Sequence, residues 1–272
     1  MGSKTQTGII MGVANQRSIA TGIATQLHGQ GAHMGFSYLP DASGKMKQRV
    51  EKAIEGIPAV FLEPCNVGAD ADIQTFFEQA KTYTPSIDFF LHSIAFAPLE
   101  DIRCPTVEAS RQGFITALDI SVYSFIATAK HAAKLMPNGG SILTLSYFGG
   151  EKVVGGYNLM GVAKAALEAA VRYLAYDLGP QGIRVNAISA GVVKTLAASA
   201  VGDFGQMLSG HAGISPLQRN VTLEEIGSTA AFLFSPGGSG ITGEVIHVDA
   251  GYHIMGGPGK GSTPTGNSEK SV

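Results

Sequence analysis

The sequence predicts an α/β fold, a doubly wound parallel sheet with helices on both faces, and three observations carry that expectation. Short apolar runs alternate with segments of helical period for most of the length, a rhythm that asks for parallel strands joined by crossover helices. Hydrophobic residues make up 44% and charged ones 15%, a balance suited to burying a core and unlike that of a disordered chain. No shift of composition divides residues 8–255, and no internal repeat is visible. The 272 residues therefore read as one large domain, although ~150 residues per domain would also allow two.

The first strand is Gly8-Ile9-Ile10-Met11-Gly12, a short apolar run of the buried kind. From Ser18 onward Ile19, Ile23 and Leu27 recur every four residues, the apolar stripe of a helix lying on a sheet. Residues 33–38 form the second strand, 59–62 the third and 87–92 the fourth, with helical patterns over 43–55 and 70–82 between them. Residues 141–146 and 184–188 continue the series, each after a long helical stretch, and 244–248 is the last strand. Beyond residue 255 the chain turns to Gly, Pro, Ser, Thr and charge with almost nothing to bury, so 1–255 is the expected folded domain and 256–272 a disordered tail.

Lys and Arg number 19 against 21 Asp and Glu, a net charge of -2 with no long run of either sign, so nucleic acid is not an expected partner. Two cysteines, Cys65 and Cys104, make no disulfide framework, and the N-terminus lacks an apolar core with a small-residue cleavage site. No run of 18 apolar residues occurs, so no membrane span is expected; a reduced, cytoplasmic protein is. No two of the seven histidines lie at i, i+4 with a neighbouring acid, and no Cys-x-x-Cys occurs, so no metal site is expected. Ser146 lacks a Gly-x-Ser-x-Gly elbow, which sets hydrolase chemistry aside.

Residues 12–20 lie between the first strand and the first helix, where an open parallel sheet places its ligand crevice. A glycine at the strand end lets backbone approach a phosphate, and Ser18 is placed either to cap the helix or to hydrogen-bond a pyrophosphate there. The Gly-x-Gly-x-x-Gly pattern is missing, so a plain turn and N-cap account for these residues as well, until their place in a Rossmann-like βαβ unit is considered. At the end of the second strand such a fold usually carries the acid that holds a ribose hydroxyl; here stand Tyr38, Leu39 and Pro40, with Asp41 just beyond. No Arg or Lys follows before Lys45 and Lys47, which favours NADH over NADPH.

Tyr157 and Lys164 open a segment in which Leu167, Val171, Leu174 and Leu178 follow helical spacing. Seven residues at ~100° and ~1.5 Å each leave the pair on one face, about 10.5 Å apart along the axis. A lysine so placed can reach back to a cofactor ribose while its charge favours a polarised tyrosine hydroxyl. A tyrosine and a lysine that merely border a core helix would show the same spacing.

With these residues in view the chain resembles the short-chain dehydrogenase/reductase superfamily, and within it the NADH-type bacterial enoyl-acyl-carrier-protein reductases, from about Gly8 to Gly251. The superfamily's commoner members have Tyr-x3-Lys, but position 161 is Gly, and Tyr157-x6-Lys164 is similar to the enoyl-reductase variant. Gly12-x5-Ser18-Ile19-Ala20, Leu145-Ser146-Tyr147, and His92-Ser93-Ile94 with Phe96-Ala97-Pro98 add to the likeness, as do residues 187–191 and 194–199. The resemblance implies hydride transfer from NADH to the β-carbon of a trans-2-enoyl thioester in fatty acid biosynthesis. Tyr157 would stabilise the enolate oxygen and supply a proton directly or through a relay; Lys164 would hold the nicotinamide ribose; Tyr147 would line the acyl pocket.

The same resemblance implies cofactor contacts at Gly12, Ser18 and Ile19, at Leu39, Asn66 and Val67 around the adenosine, and at Ile94 beside the nicotinamide. Val193, Lys194, Thr195, Leu196 and Ala197 would take the carboxamide and pyrophosphate, and Ala97 is the substrate-side match. Three positions depart from the family pattern: Leu39 where relatives are often polar, Asn66 where they carry Asp, and Ala95 where many have Gly. Acyl carrier protein as partner and a homotetramer of dihedral symmetry are likewise implied, and a positive patch near the pocket, drawing on Lys194, Arg219 or Arg172, would be needed to dock so acidic a partner.

Residues 198–215 combine small residues, four of them Gly, with a few large apolar anchors, a composition suited to a lid over an acyl chain. The lid is expected at about 195–215, lined by Phe204, Met207 and Ile214; a surface helix pair with glycine breaks has the same composition. Two other functions share part of this pattern. A carbonyl or 3-oxoacyl reductase would place Lys four residues after the tyrosine, and a non-catalytic dinucleotide-binding regulator has no reason to keep Tyr157 and Lys164 on one helical face.

Overall fold

The computed structural model describes residues 5–193 and 204–257, with residues 204–207 in backbone only. Among them, seven strands form one sheet: β1 (Thr7–Met11), β2 (His33–Tyr38), β3 (Ala59–Pro64), β4 (Phe89–His92), β5 (Gly140–Ser146), β6 (Ile183–Ala190) and β7 (Val245–Val248). Their spatial order is β3-β2-β1-β4-β5-β6-β7, and every neighbouring pair is parallel. The connecting helices are α1 (Ile19–Gly29), α2 (Lys45–Ala53), α3 (Asp70–Tyr83), α4 (Leu99–Arg103), α5 (Arg111–Leu118), α6 (Ser124–Ala133), α7 (Asn158–Leu178), α8 (Phe204–Ile214) and α9 (Leu223–Phe234). This is the Rossmann-like doubly wound sheet that the strand and helix rhythm predicts.

The continuous apolar strands are explained by two core layers. Successive side chains of a strand point to opposite faces: in β1, Ile9 and Met11 join one layer and Ile10 the other, all fully buried. Phe76 and Phe77 of α3, Phe125 of α6 and Leu167 of α7 cover the first face. Ile23 and Leu27 of α1, Val50 of α2, and Ile226 and Leu233 of α9 cover the second. The four-residue spacing of Ile23 and Leu27 thus marks the stripe on the sheet, and burying each stabilises the fold by about 1.5–3 kcal/mol.

Two departures from the expected elements have clear physical reasons. β3 runs on to Pro64, which an edge strand tolerates, and Glu63 there accepts a hydrogen bond from the Tyr83 hydroxyl at 2.8 Å. The stretch before β5 is not one long helix. Pro105 separates α4 from α5, and a π-helical turn, Asp119–Tyr123, lies between α5 and α6. In that turn the Ser121 hydroxyl accepts from the Phe96 amide (3.0 Å) and donates to the Phe96 carbonyl (3.1 Å), clamping the loop after β4. Cys65 and Cys104 are both free thiols. No helix among the described residues is long and apolar enough to cross a membrane. The expected tail lies, from residue 258 onward, outside the described residues.

Candidate active site

The strand order reverses between β1 and β4, and ligands of such sheets bind outside the carboxyl ends at that switch point. Gly12 ends β1 there with φ +94°, and a Cβ on it would lie 2.0 Å from the Ser93 carbonyl oxygen and 3.2 Å from Ile94 Cγ1. Only glycine fits such an approach, which brings the first turn against Ile94. Ile19, half-buried, heads α1, whose first amides have no intrahelical partner and suit an anion. Ser18 takes the N-cap position without capping through its side chain. Its hydroxyl donates to the Asn15 carbonyl (2.9 Å) and lies 2.7 Å from Thr21 Oγ1, so it shapes the turn instead of serving the helix amides.

At the far end of the crevice Leu39 is 51% exposed, with no polar group to offer. Asp41 is occupied: it accepts from the Lys45 and Met46 amides (3.2 and 3.0 Å) and from the Ser43 hydroxyl, which anchors the start of α2. Those bonds, the Ser43 one first, hold its carboxyl below the usual range. Lys47 folds back, with Nζ 6.0 Å from the Tyr38 ring centroid. After β3, Asn66 turns its side-chain oxygen to the Gly68 amide at 3.1 Å, and Val67 is buried in the core. The crevice floor thus suits a dinucleotide: glycine at the switch point, a helix N-terminus and an apolar rim. The ribose-binding acid of related folds has no counterpart on β2.

The reactive residues meet where β5 ends beside α7. Tyr157 sits just ahead of α7 and Lys164 two turns in, as the spacing predicts. The Tyr157 and Tyr147 rings meet edge to face, with centroids 4.8 Å apart. Lys164 is buried, and its ammonium donates to the Leu145 carbonyl at 2.7 Å, leaving two of its three protons for other partners. Burial draws that ammonium down to about 8, with the Glu168 carboxylate opposing the fall. Burial raises both phenols well above their ordinary value, helped at Tyr157 by Tyr147 and Glu168, and at Tyr147 by Tyr252 and Asp249. Both therefore hold their protons at neutral pH. Among the described residues none hydrogen-bonds the Tyr157 hydroxyl.

Glycines shape the ground around this pair. A Cβ on Gly149 would strike the Tyr157 ring at 2.4 Å, and one on Gly161 would lie 2.8 Å from the Gly149 carbonyl oxygen. Position 161, where the commoner superfamily members carry lysine, is therefore closed to any side chain. Ala97 is buried in a small cluster with Ala117, Leu159 and Met160, against which Tyr157 packs. Val193 is half-buried against the second core layer. Lys194, Thr195, Leu196 and Ala197 lie outside the described residues, as do the side chains of Phe204 and Met207; Ile214 is half-buried in α8.

Several contacts and exposures at the site were not legible beforehand. His211 of α8 shares a hydrogen bond with the Tyr147 hydroxyl at 3.3 Å and stacks on Tyr252 with centroids 3.8 Å apart. Phe96 stands 53% exposed beside Ala97, and His92 is wholly buried, its Nε2 2.8 Å from Ser124 Oγ. These contacts join distant stretches of chain and leave no local signature.

A family model described as "Enoyl-(Acyl carrier protein) reductase" matches residues 12–253. The chain is 51% identical over 252 residues to the Nostoc protein "Enoyl-[acyl-carrier-protein] reductase [NADH] FabI", covering 92% of this chain and 97% of that one. Among solved structures, an Anaplasma phagocytophilum enoyl-(acyl-carrier-protein) reductase in complex with NAD is similar at TM-score 0.88 and 46% identity, over 93% of this chain and 95% of that one. The Bacillus cereus enoyl-acyl carrier protein reductase with NADP+ and indole naphthyridinone gives TM-score 0.88 and 49% identity, over 92% and 97%. With the whole folded region matched in sequence and in structure, the chain belongs to the enoyl-(acyl carrier protein) reductase family.

Proposed function

We propose that the chain reduces the carbon–carbon double bond of a trans-2-enoyl thioester carried on acyl carrier protein, with NADH as cofactor. The carrying observation is the Tyr147/Tyr157 ring contact at 4.8 Å beside the buried Lys164 ammonium. When bound, NADH supplies the hydride. Gly12, Ser18 and Ile19 bind it at the first turn, Leu39, Asn66 and Val67 along the adenosine, and Ile94 and Val193 to Ala197 toward the nicotinamide.

Lys164 holds the ribose with the protons that Leu145 leaves free, and it is positive at neutral pH because its burial stops at about 8. Tyr157 keeps its proton and offers it to the thioester oxygen where enolate charge develops, a donor already in place before the charge appears. Tyr147 and Ala97 line the acyl side, with Phe204 and Met207 on the lid over about 195–215. A carbonyl or 3-oxoacyl reductase would want lysine at position 161, which the Gly149 carbonyl excludes. A regulator without catalysis would have no use for an ammonium buried two turns along the helix from one of two paired, protonated phenols.

NADH is the preferred nicotinamide in this reading, and the test is kcat/KM with each cofactor: a higher value with NADPH would put Lys47 on a 2′-phosphate. Tyr173 and Tyr176 of α7, 73% and 82% exposed, with Phe114 of α5, 42% exposed, support burial of that face in a homotetramer, measurable as mass by light scattering. The enzyme would act in the cytoplasm. The deciding experiment is NADH oxidation with an enoyl thioester beside a 3-oxoacyl thioester.

A further inference from the structure

Three consecutive residues at the carboxyl end of β5 each engage a different residue at or in α7. The Leu145 carbonyl takes Lys164 Nζ at 2.7 Å, the Ser146 hydroxyl donates to the Glu168 carboxylate, and the Tyr147 ring meets that of Tyr157 at 4.8 Å. The first and third contacts place the residues of the proposed chemistry. The second holds a residue with no role so far.

Glu168 lies one turn beyond Lys164 on the same helical face, and both are 6% exposed. A carboxylate buried this deeply is unfavourable unless hydrogen-bonded and paired, and an apolar side chain would fill the position without that penalty. The backbone makes room for it: a Cβ on Gly150 would lie 2.7 Å from Glu168 Oε1 and 3.1 Å from the Lys164 carbonyl carbon. We propose that Glu168, anchored by Ser146 one turn beyond Lys164, is a positioning residue that keeps the Lys164 ammonium charged behind the tyrosine pair.

The role rests on the reading of Lys164 as the residue that holds the ribose. Glu168 is the group that opposes the fall burial imposes on Lys164. Burial in turn raises Glu168, and the Ser146 hydrogen bond opposes that rise. The other charged or titratable groups facing the pair are Tyr157 at the head of α7, Arg172 farther along it, Glu151 after β5, His247 of β7 and His92 of β4. Glu151 lies 2.7 Å from His247 Nε2, and His92 is held neutral by burial. Glu168 is thus the carboxylate whose charge, from one turn along the same helix, favours the ammonium.

The test uses Glu168→Gln, Ser146→Ala and Lys164→Ala. Lys164 is titrated by NMR in lysine-labelled protein, its signal assigned by its loss in Lys164→Ala, and NADH affinity is measured by fluorescence across the same pH range. In Glu168→Gln the Lys164 midpoint should fall by about one pH unit or more, and NADH affinity at mildly alkaline pH by about tenfold. Ser146→Ala should move both the same way by less, and it carries the test if Glu168→Gln does not fold. An unmoved Lys164 midpoint in the folded variants overturns the role of Glu168. Unchanged NADH affinity in Lys164→Ala instead removes the ribose assignment, so the two failures are told apart.

Discussion

Tyr157→Phe isolates one hydroxyl. The ring keeps its edge-to-face contact with Tyr147 at 4.8 Å and its place over Gly149, so packing is preserved. The lost oxygen is not hydrogen-bonded to any described residue, so its removal breaks no hydrogen bond within the fold. Thermal stability should therefore be unchanged or slightly higher, within about 0.5 kcal/mol. Catalysis should respond differently if, as proposed, the hydroxyl meets the developing enolate charge: losing one such donor slows turnover by about 10²–10³, or about 2.7–4 kcal/mol of barrier. Steady-state NADH oxidation with an enoyl thioester, alongside a thermal melt, measures both. A loss below about tenfold, equivalent to 1.4 kcal/mol, with an intact fold would refute Tyr157 as the donor to the oxyanion.

Lys164→Ala should weaken NADH binding; in the parent, affinity should decline as pH rises through about 8, where the buried ammonium loses its proton, and a pH-independent affinity would contradict this. Gly161→Ala inverts the usual helix rule. Alanine normally gains about 1 kcal/mol over glycine inside a helix, but here the Cβ meets the Gly149 carbonyl oxygen at 2.8 Å, so the melting temperature should drop, and a rise would be inconsistent with that contact. Burial draws His92 from 6.5 to about 3. The unfolded chain then binds a proton that the folded one does not, and stability should fall from pH 6.5 downward at up to about 1.4 kcal/mol per unit. Denaturant melts of His92→Gln between pH 7 and 5 should show a shallower slope, and an identical slope would remove His92 as its source.

The fold was largely readable because both faces of the sheet are covered. The central strands then become short apolar runs, and the longer crossover helices carry a stripe such as Ile19, Ile23 and Leu27. Tyr157 and Lys164 were readable for the same local reason, since helical period alone puts them on one face. The register of α7 on β5 was not: that Leu145, Ser146 and Tyr147 meet Lys164, Glu168 and Tyr157 in turn depends on how the helix settles on the sheet. Ser18 looked like a helix cap, but its hydroxyl prefers the Asn15 carbonyl a turn away. His211 reaches Tyr147 across 64 residues, and no spacing rule spans that gap.

The measurement that bears most directly on the central claim is NADH oxidation with a trans-2-enoyl thioester set beside a 3-oxoacyl thioester of equal length. The arrangement of Tyr157, Tyr147 and Lys164 predicts rapid oxidation with the enoyl compound and little with the 3-oxo one. Turnover of the 3-oxoacyl thioester alone would contradict it and make the chain a carbonyl reductase on the same fold.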